Sequence, residues 1–496
     1  MTGSKIKWLL ILTLVIIAVY AVLLIPETPP VIGAYSTHSA FVWGQDEYWS
    51  SLESEFRQKR DVGCSVLTDT ISSRMRALDS IVYEVGAVRA APSDPALNNL
   101  EKAFFELGVL IAVCPELLRE YVRAFEQMRC LIKDLSLEWD LGSREASDRL
   151  YRLLYGGRTA VEEAMLQAEP GAILELESVC DEPSKTPSAE INGVQVHSGD
   201  ILISRGGAPT SALIARGSDY AGNFSHAALC HVDDSTGEIS IIEAHIECGV
   251  TVSTREQYLN DKKLRIMVLR PRSDLPSMMV DPMLPHRAAC LALDMARSNH
   301  IPYDFEMNTR DDSRLFCSEV VSSAYDSLDF PLWKKLSHIS EPGLRSWLAA
   351  FGVRNFTTQE PSDLEYDPQL RVVAEWRDPE TLMEDHIDNA IIDVMLEGAS
   401  NGDRLEYTWY MLPAARVIKL YSVILNCFGE VGPIPEGMGA TSALQNQWLS
   451  EQHRGTKIIL KKKISEFRKA NGYSPPYWEL VRLAREAYKS HGRTSL

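Results

Sequence analysis

The stretch Leu315–Tyr325, "LFCSEVVSSAY", reads as an apolar helix with a cysteine at its mouth. A thiol in that position is either a small buried hydrophobe or a thiolate favoured by unpaired backbone N–H groups and the helix dipole. The choice between them depends on what the upstream chain can bring to the sulfur.

Two upstream runs supply partners. In "EISIIEAHIECG" (Glu238–Gly249) strand alternation puts Ile242, Ala244 and Ile246 on one face and Glu243, His245 and Glu247 on the other. In "NFSHAALCHV" (Asn223–Val232) His226 opens a strand of small and apolar residues, and "DDSTGE" supplies a hairpin-like turn between the two. A histidine base, a carboxylate on the next strand to orient it and a cysteine at a helix mouth fill the three roles of nucleophilic acyl transfer. The thiolate attacks a carbonyl, the imidazole moves the proton, and the third group fixes the tautomer. His245 competes with Glu243 for that third role.

The order "GDILIS…FSHAALCHV…IIEAHIE…IPYDF…LFCSEVVSSAY", from about Gly199 to Tyr325, resembles the circularly permuted papain-like enzymes of the NlpC superfamily, in particular the YiiX/YebB-like group. In the permuted branch the histidine strand precedes the cysteine helix, as it does here. The resemblance implies Cys317 as nucleophile, His226 as base and Glu243 as the polar orienting residue. It also places Tyr303 and Asp304 on the loop before the cysteine helix, Tyr303 being a candidate for substrate contact. Cys230 and His231, which follow the "SH", depart from the more aliphatic strand of many relatives.

Around this unit the chain is helical. Apolar residues recur at three- and four-residue steps through "TISSRMRALDSIVYEVGAV", "PALNNLEKAFFELGVLIAVC" and "ELLREYVRAFEQMRCLIKDLSLEW", with Ser93 or Asp94 capping a helix that has Pro95 in its first turn. Beyond Glu360 the chain reads as helices again, and "AARVIKLYSVILNCF" reads as a buried core helix because Arg416 and Lys419 interrupt its apolar run. At the N-terminus, about 18 uncharged residues from Trp8 to Ile25 suffice for one membrane helix. Lys5 and Lys7 precede them, and Glu27 and three prolines follow. The positive-inside rule then keeps the N-terminus cytoplasmic and exports the body, periplasmic or extracellular if the source is bacterial.

Composition bounds the rest. A chain of 496 residues with 45% hydrophobic content exceeds one hydrophobic core. The net charge of −18 argues against general nucleic-acid affinity, although the tail from Thr456 is basic. Nine cysteines show no CxxC pair and no zinc-ligand spacing, so neither metal nor cofactor is expected, and the odd number leaves at least one thiol free in a monomer.

The expected architecture is therefore α+β. A membrane anchor (1–27), a helical region (28–174), a permuted papain-like domain with antiparallel sheet and cysteine helix (175–355) and a helical C-terminal region with a basic tail (356–496) follow in order. The expected function is a membrane-anchored cysteine hydrolase that cleaves an amide bond through a thioester, its substrate a peptide, a cell-wall peptide fragment or an N-acyl amide. The alternative is a non-catalytic envelope scaffold on the same fold.

Overall fold

The computed structural model describes residues 3–30, 38–168, 176–178, 181–335 and 337–494. Cys180 and the expected boundary at 174/175 lie outside the described residues. After α1 (Gly3–Leu23) come α2 (Asp46–Arg60), α3 (Cys64–Ala87), α4 (Pro95–Val113), α5 (Leu118–Ser136), α6 (Arg144–Leu150) and α7 (Gly156–Met165). These last six bury one core around Phe104, Leu110, Phe125 and Ile132. Asp94 caps α4, its Oδ1 accepting the Ala96 N–H at 2.9 Å with Pro95 in the first turn. A disulfide joins Cys64 to Cys114.

The sheet that positions the candidate site follows. Its elements are β1 (Leu176–Ser178), a β2 (Ser188–Ile191)/β3 (Val194–His197) hairpin that stands apart, β4 (Ile201–Gly206), α8 (Pro209–Arg216), β5 (His226–Val232), β6 (Ile239–His245), β7 (Gly249–Thr254), α9 (Arg255–Asn260) and β8 (Lys263–Pro271). Next come α10 (Pro276–Val280), α11 (Leu284–Ser298), α12 (Cys317–Asp326), β9 (Ser337–His338), α13 (Pro342–Ala350), β10 (Thr357–Thr358), α14 (Asp363–Tyr366) and β11 (Leu370–Trp376). The chain closes with α15 (Pro379–Ser400), α16 (Leu412–Cys427), α17 (Ala440–Asn471) and α18 (Tyr477–Thr494).

Seven strands form one antiparallel sheet in the order β1-β11-β8-β4-β5-β6-β7. Alternation sorts its faces: Ala227, Leu229, Ile242 and Ala244 pack under α11 and α12, whereas Ala228, Cys230, Ile239 and Ile241 pack with the β2/β3 hairpin. The backbone turns at Gly199 with φ +97°, where a Cβ would come within 2.3 Å of Pro285, so only glycine fits there. The expected hairpin turn at "DDSTGE" forms, with Asp233 Oδ1 accepting the Ser235 and Thr236 N–H groups.

Three sequence expectations are corrected. The stretch after Glu360, expected to be helical, contains β11 inside the sheet. Val372, Val373 and Ala374 are all buried and a register shift falls among them, so the strand lacks the alternation that would mark it. The expected core helix α16 instead faces outward, with Val417, Leu420, Tyr421, Ile424 and Phe428 just after it exposed. Its two charges do not interrupt that face. Arg416 turns to the carbonyls of Val22 and Ile25, and Lys419 donates to those of Pro435 and Glu436 at 2.6 and 2.7 Å. Finally, among the described residues no helix is long and apolar enough to cross a membrane.

A buried ionic lattice ties the helical regions to the sheet. Arg158 of α7 meets Glu365 at 2.6 Å and Glu162 at 3.0 Å. Glu162 also meets Arg265 of β8 at 2.7 Å, and Arg265 continues to Asp385 of α15 at 2.5 Å. Arg265 and Arg158 hold the Glu162 carboxyl well below its usual range against the opposing cost of burial.

Candidate active site

Cys317 is the first residue of α12, and its side chain is buried. The first N–H groups of a helix have no intrahelical acceptor, so the start of α12 directs free donors and a positive dipole end at the sulfur. Glu319 holds that end in place by accepting the Phe316 N–H at 3.0 Å. The chain between the sheet and α12 is pinned by Asp304, which accepts N–H groups from Glu306 and Asn308 at 2.9 and 2.5 Å.

His226, at the start of β5, brings its ring close enough to Cys317 for each to favour the charged form of the other. Its Nε2 lies 2.8 Å from Glu243 Oε2, which leaves Nδ1 as the nitrogen available to sulfur. The strand register makes this possible: Ala228 pairs with Glu243, so His226 and Glu243 project from the same face. The other carboxylate oxygen, Oε1, accepts Ser253 Oγ–H at 2.6 Å and lies 3.2 Å from His245 Nε2. The two imidazoles flank the carboxylate with ring centroids 5.4 Å apart.

The electrostatics follow from this geometry. Burial opposes the charge on Cys317, but the hydrogen bond and charge of His226 and the N–H of Ala227 outweigh it and lower the thiol. Burial likewise opposes the imidazolium, yet the hydrogen bonds to Cys317 and Glu243 lift His226 to about 9. Glu243 is buried as well, and its bonds to His226 and His245 hold it well below the usual carboxylate range. The pair is thus biased toward thiolate and imidazolium.

The five residues singled out from the sequence, Cys317, His226, Glu243, His245 and Tyr303, fall in this region. Cys317, His226 and Glu243 form one connected chain, and His245 reaches Glu243 but takes no place between carboxylate and thiol. Tyr303 is near enough for the thiolate charge, after burial, to keep its phenol neutral. It also lines a cavity of about 280 Å³ with Phe305, Arg314 and Glu27–Pro30. Two groups escaped the sequence reading. Ser253 lies on the Glu243 face of β7, a position legible only once the β6–β7 register is known. Glu360, in a loop with no pattern, is buried, and burial together with Asp363 and the Cys317 charge pushes its carboxyl well above the usual range.

His226, Glu243 and His245 also place donor atoms within 4.8 Å of one another. Both Nε2 atoms are already committed to the carboxylate, so the set is paired without an ion.

A histidine strand, a carboxylate on the adjacent strand and a later cysteine helix on one antiparallel sheet define a circularly permuted papain-like unit. Residues 195–374 match the family described as permuted papain-like amidase enzymes, YaeF/YiiX, C92 family. That is the resemblance read from the sequence. Among solved structures the chain is similar to metalloprotein yiiX from Escherichia coli O157:H7, at 20% identity over 36% of this chain and 95% of that one, with a TM-score of 0.29. No curated protein matches.

Proposed function

We propose that the protein is a cysteine hydrolase of amide bonds in which Cys317 is the nucleophile, His226 the acid and base, and Glu243 the group that orients and charges the imidazole. The observation that carries this reading is the chain of contacts from a helix-mouth thiol through His226 to a buried carboxylate. The thiolate attacks the amide carbonyl, and the developing oxyanion meets first-turn N–H groups of α12. Imidazolium gives its proton to the leaving amine as the C–N bond breaks, leaving a thioester. Neutral His226 then takes a proton from water, hydroxyl attacks the thioester carbonyl, and the C–S bond breaks to return the thiolate to Cys317 as the carboxylic acid leaves.

Glu360, whose buried carboxyl is raised in part by the Cys317 charge, is suited to donate to the same oxyanion. Glu360→Gln keeps a donor and is expected to retain activity within about threefold. Glu360→Ala is expected to lower kcat by about 10²–10³, the usual cost of losing one oxyanion donor. Equal loss in both variants would remove Glu360 from this role.

The peptide and N-acyl amide substrate classes are separated by incubating the protein with cell-wall peptide fragments and with a panel of N-acyl amides. Release of amine from one panel, absent in Cys317→Ala, assigns the class. Turnover of neither would favour the scaffold reading.

Localisation at a lipid surface belongs to the same proposal. The described side chains of α1 from Leu10 to Val22 are exposed and apolar on every side, which suits lipid better than a one-sided protein contact. The helix touches α16, whose outward face is apolar and exposed, with Trp409 and Tyr410 close by in sequence and exposed as interfacial aromatics are. The Cys64–Cys114 bond fits an exported body in an oxidising compartment. Full-length protein is expected to float with phospholipid vesicles, and removal of residues 1–25 together with Val417→Glu and Leu420→Glu to abolish flotation. Unchanged flotation would refute the assignment of this surface.

A further inference from the structure

We propose that His231, His286 and Cys290 form a binding site for a borderline-soft divalent cation of the Zn²⁺ class. Spacing along the sequence gives little sign of it, because His231 belongs to a different element from His286 and Cys290 and only one of the three is a cysteine. The fold assembles them. His286 and Cys290 are four residues apart on α11 and so share one helical face. That helix packs on β5, where His231 shares the face of Ala227 and Leu229.

The donor geometry is close to what a tetrahedral ion requires. One ligand atom from each side chain lies within 4.8 Å of the other two, and His286 Nε2 is 3.5 Å from Cys290 Sγ. Ligands at Zn–N and Zn–S bond lengths sit roughly 3.3–3.7 Å apart around a tetrahedron. The widest gap therefore closes by about 1 Å, within reach of side-chain rotation. The rings of His231 and His286 lie 5.5 Å apart and tilted by only 25°, so neither blocks the other.

Two further observations point to a ligand. His231 is 7% exposed and its Nδ1 has no hydrogen-bond partner. A buried polar atom left unpaired costs about 1–3 kcal/mol, and such atoms in native proteins call for a specific explanation. His286 is held in the opposite way: its Nδ1 lies 2.8 Å from Ser198 Oγ, which orients the ring and leaves Nε2 for the shared space. Outer-shell hydrogen bonds of this kind characterise metal-binding histidines.

The surroundings agree with a cation. Asp233, Asp234 and Asp294 are close enough for their charges to act on the Cys290 thiol, with Arg297 the opposing charge near His231. One imidazole is buried, whereas His286 and Cys290 are partly exposed, giving an entry path and room for water as a fourth ligand. Thiolate and two imidazoles select zinc-like ions over magnesium or calcium, which take oxygen ligands. The site is five residues from His226 along β5, about 17 Å at strand spacing and on the other face. It is therefore distinct from the catalytic cluster. A bound ion there would fasten α11, which also packs on α12, to the sheet.

The test uses the full chain, stripped with a chelator and titrated with Zn²⁺ against a chromophoric competitor, then with Co²⁺ read by absorption. The expected result is one equivalent bound, a thiolate-to-cobalt charge-transfer band, and a rise in Tm on adding Zn²⁺. Cys290→Ser is expected to abolish the band and the Tm rise, His286→Ala to weaken binding at least 100-fold, and Ser198→Ala to weaken it about 10–100-fold. Cys317→Ser, which alters the only catalytic thiol, is expected to leave both band and stoichiometry intact. Less than a tenth of an equivalent in the stripped wild type, or a band that persists in Cys290→Ser and disappears in Cys317→Ser, would overturn the proposal. Cys290→Ser removes one sulfur from a partly exposed position, so its metal-free melting point should match that of the metal-free wild type, which separates lost binding from lost folding.

Discussion

Replacing His226 by alanine is expected to slow alkylation of Cys317 by a small thiol reagent at pH 7, by up to about 30-fold. That figure is the ratio between a fully ionised thiol and an ordinary one near 8.5, which is about 3% ionised at pH 7. Burial raises the thiol, and in the native protein the hydrogen bond and charge of His226 overcome it. Without the imidazole, burial is opposed by the Ala227 N–H and by Ser318, and the thiol rises. The same pair fixes the pH profile of amide cleavage. Rate falls on the acid side as the lowered Cys317 thiolate takes up a proton, and on the alkaline side as His226 loses its proton at about 9. Cys317→Ala should reduce turnover by at least about 10⁴-fold, as removal of a nucleophile does when its partners act as a unit. Glu243→Gln keeps the shape but loses the charge that supports the imidazolium, so its alkaline limb should move to lower pH. An alkylation rate unaffected by His226→Ala in a folded protein would make Cys317 a packing residue and bring the scaffold reading forward.

What was legible in the sequence follows from how locally each feature is encoded. The cysteine helix, the His226 strand and the Glu243 strand could be found because each carries its own pattern: helix periodicity, small apolar residues after a histidine, and alternation. The neighbouring strands also bring His226 and Glu243 together by short-range pairing. Ser253, Glu360 and the His231/His286/Cys290 cluster depend on register or on packing between distant elements, which no local pattern records. The strand β11 was hidden because burial on both faces erases alternation. The apolar content of α16 was read correctly but its direction was not. In an isolated sequence an apolar stripe facing a core and one facing outward look the same; the difference lies in where Arg416 and Lys419 find carbonyl partners.

Glu162→Ala is expected to destabilise the protein by about 3–5 kcal/mol, the range for removing one partner from a buried ionic pair. The loss is large because Glu162 is shared. It meets Arg158 at 3.0 Å, Arg265 at 2.7 Å and His386 at 3.3 Å, all inside the protein. Arg158 retains Glu365 and Arg265 retains Asp385, but two buried guanidinium groups then lose a common counter-charge in a region where water cannot replace it. Glu397→Ala provides the contrast. Its partner Arg485 is 2.7 Å away, yet both side chains are more than 40% exposed, so the change should be about 0–1 kcal/mol. The pH dependence distinguishes charge from packing. The Glu162 carboxyl is lowered in the folded state, so its stabilisation is complete above its unfolded pKa near 4.3 and drains away as pH falls through the lower folded value. The gap in stability between wild type and Glu162→Ala should therefore be constant from about pH 5 to 8 and narrow in acid. The lattice links α7, β8 and α15, so the measurement also reads how the helical arms hold the catalytic sheet. If the ionic contacts unite them, the variant should lose amidase activity and α15 hydrogen-exchange protection at the same denaturant concentration, whereas independent units would lose them separately.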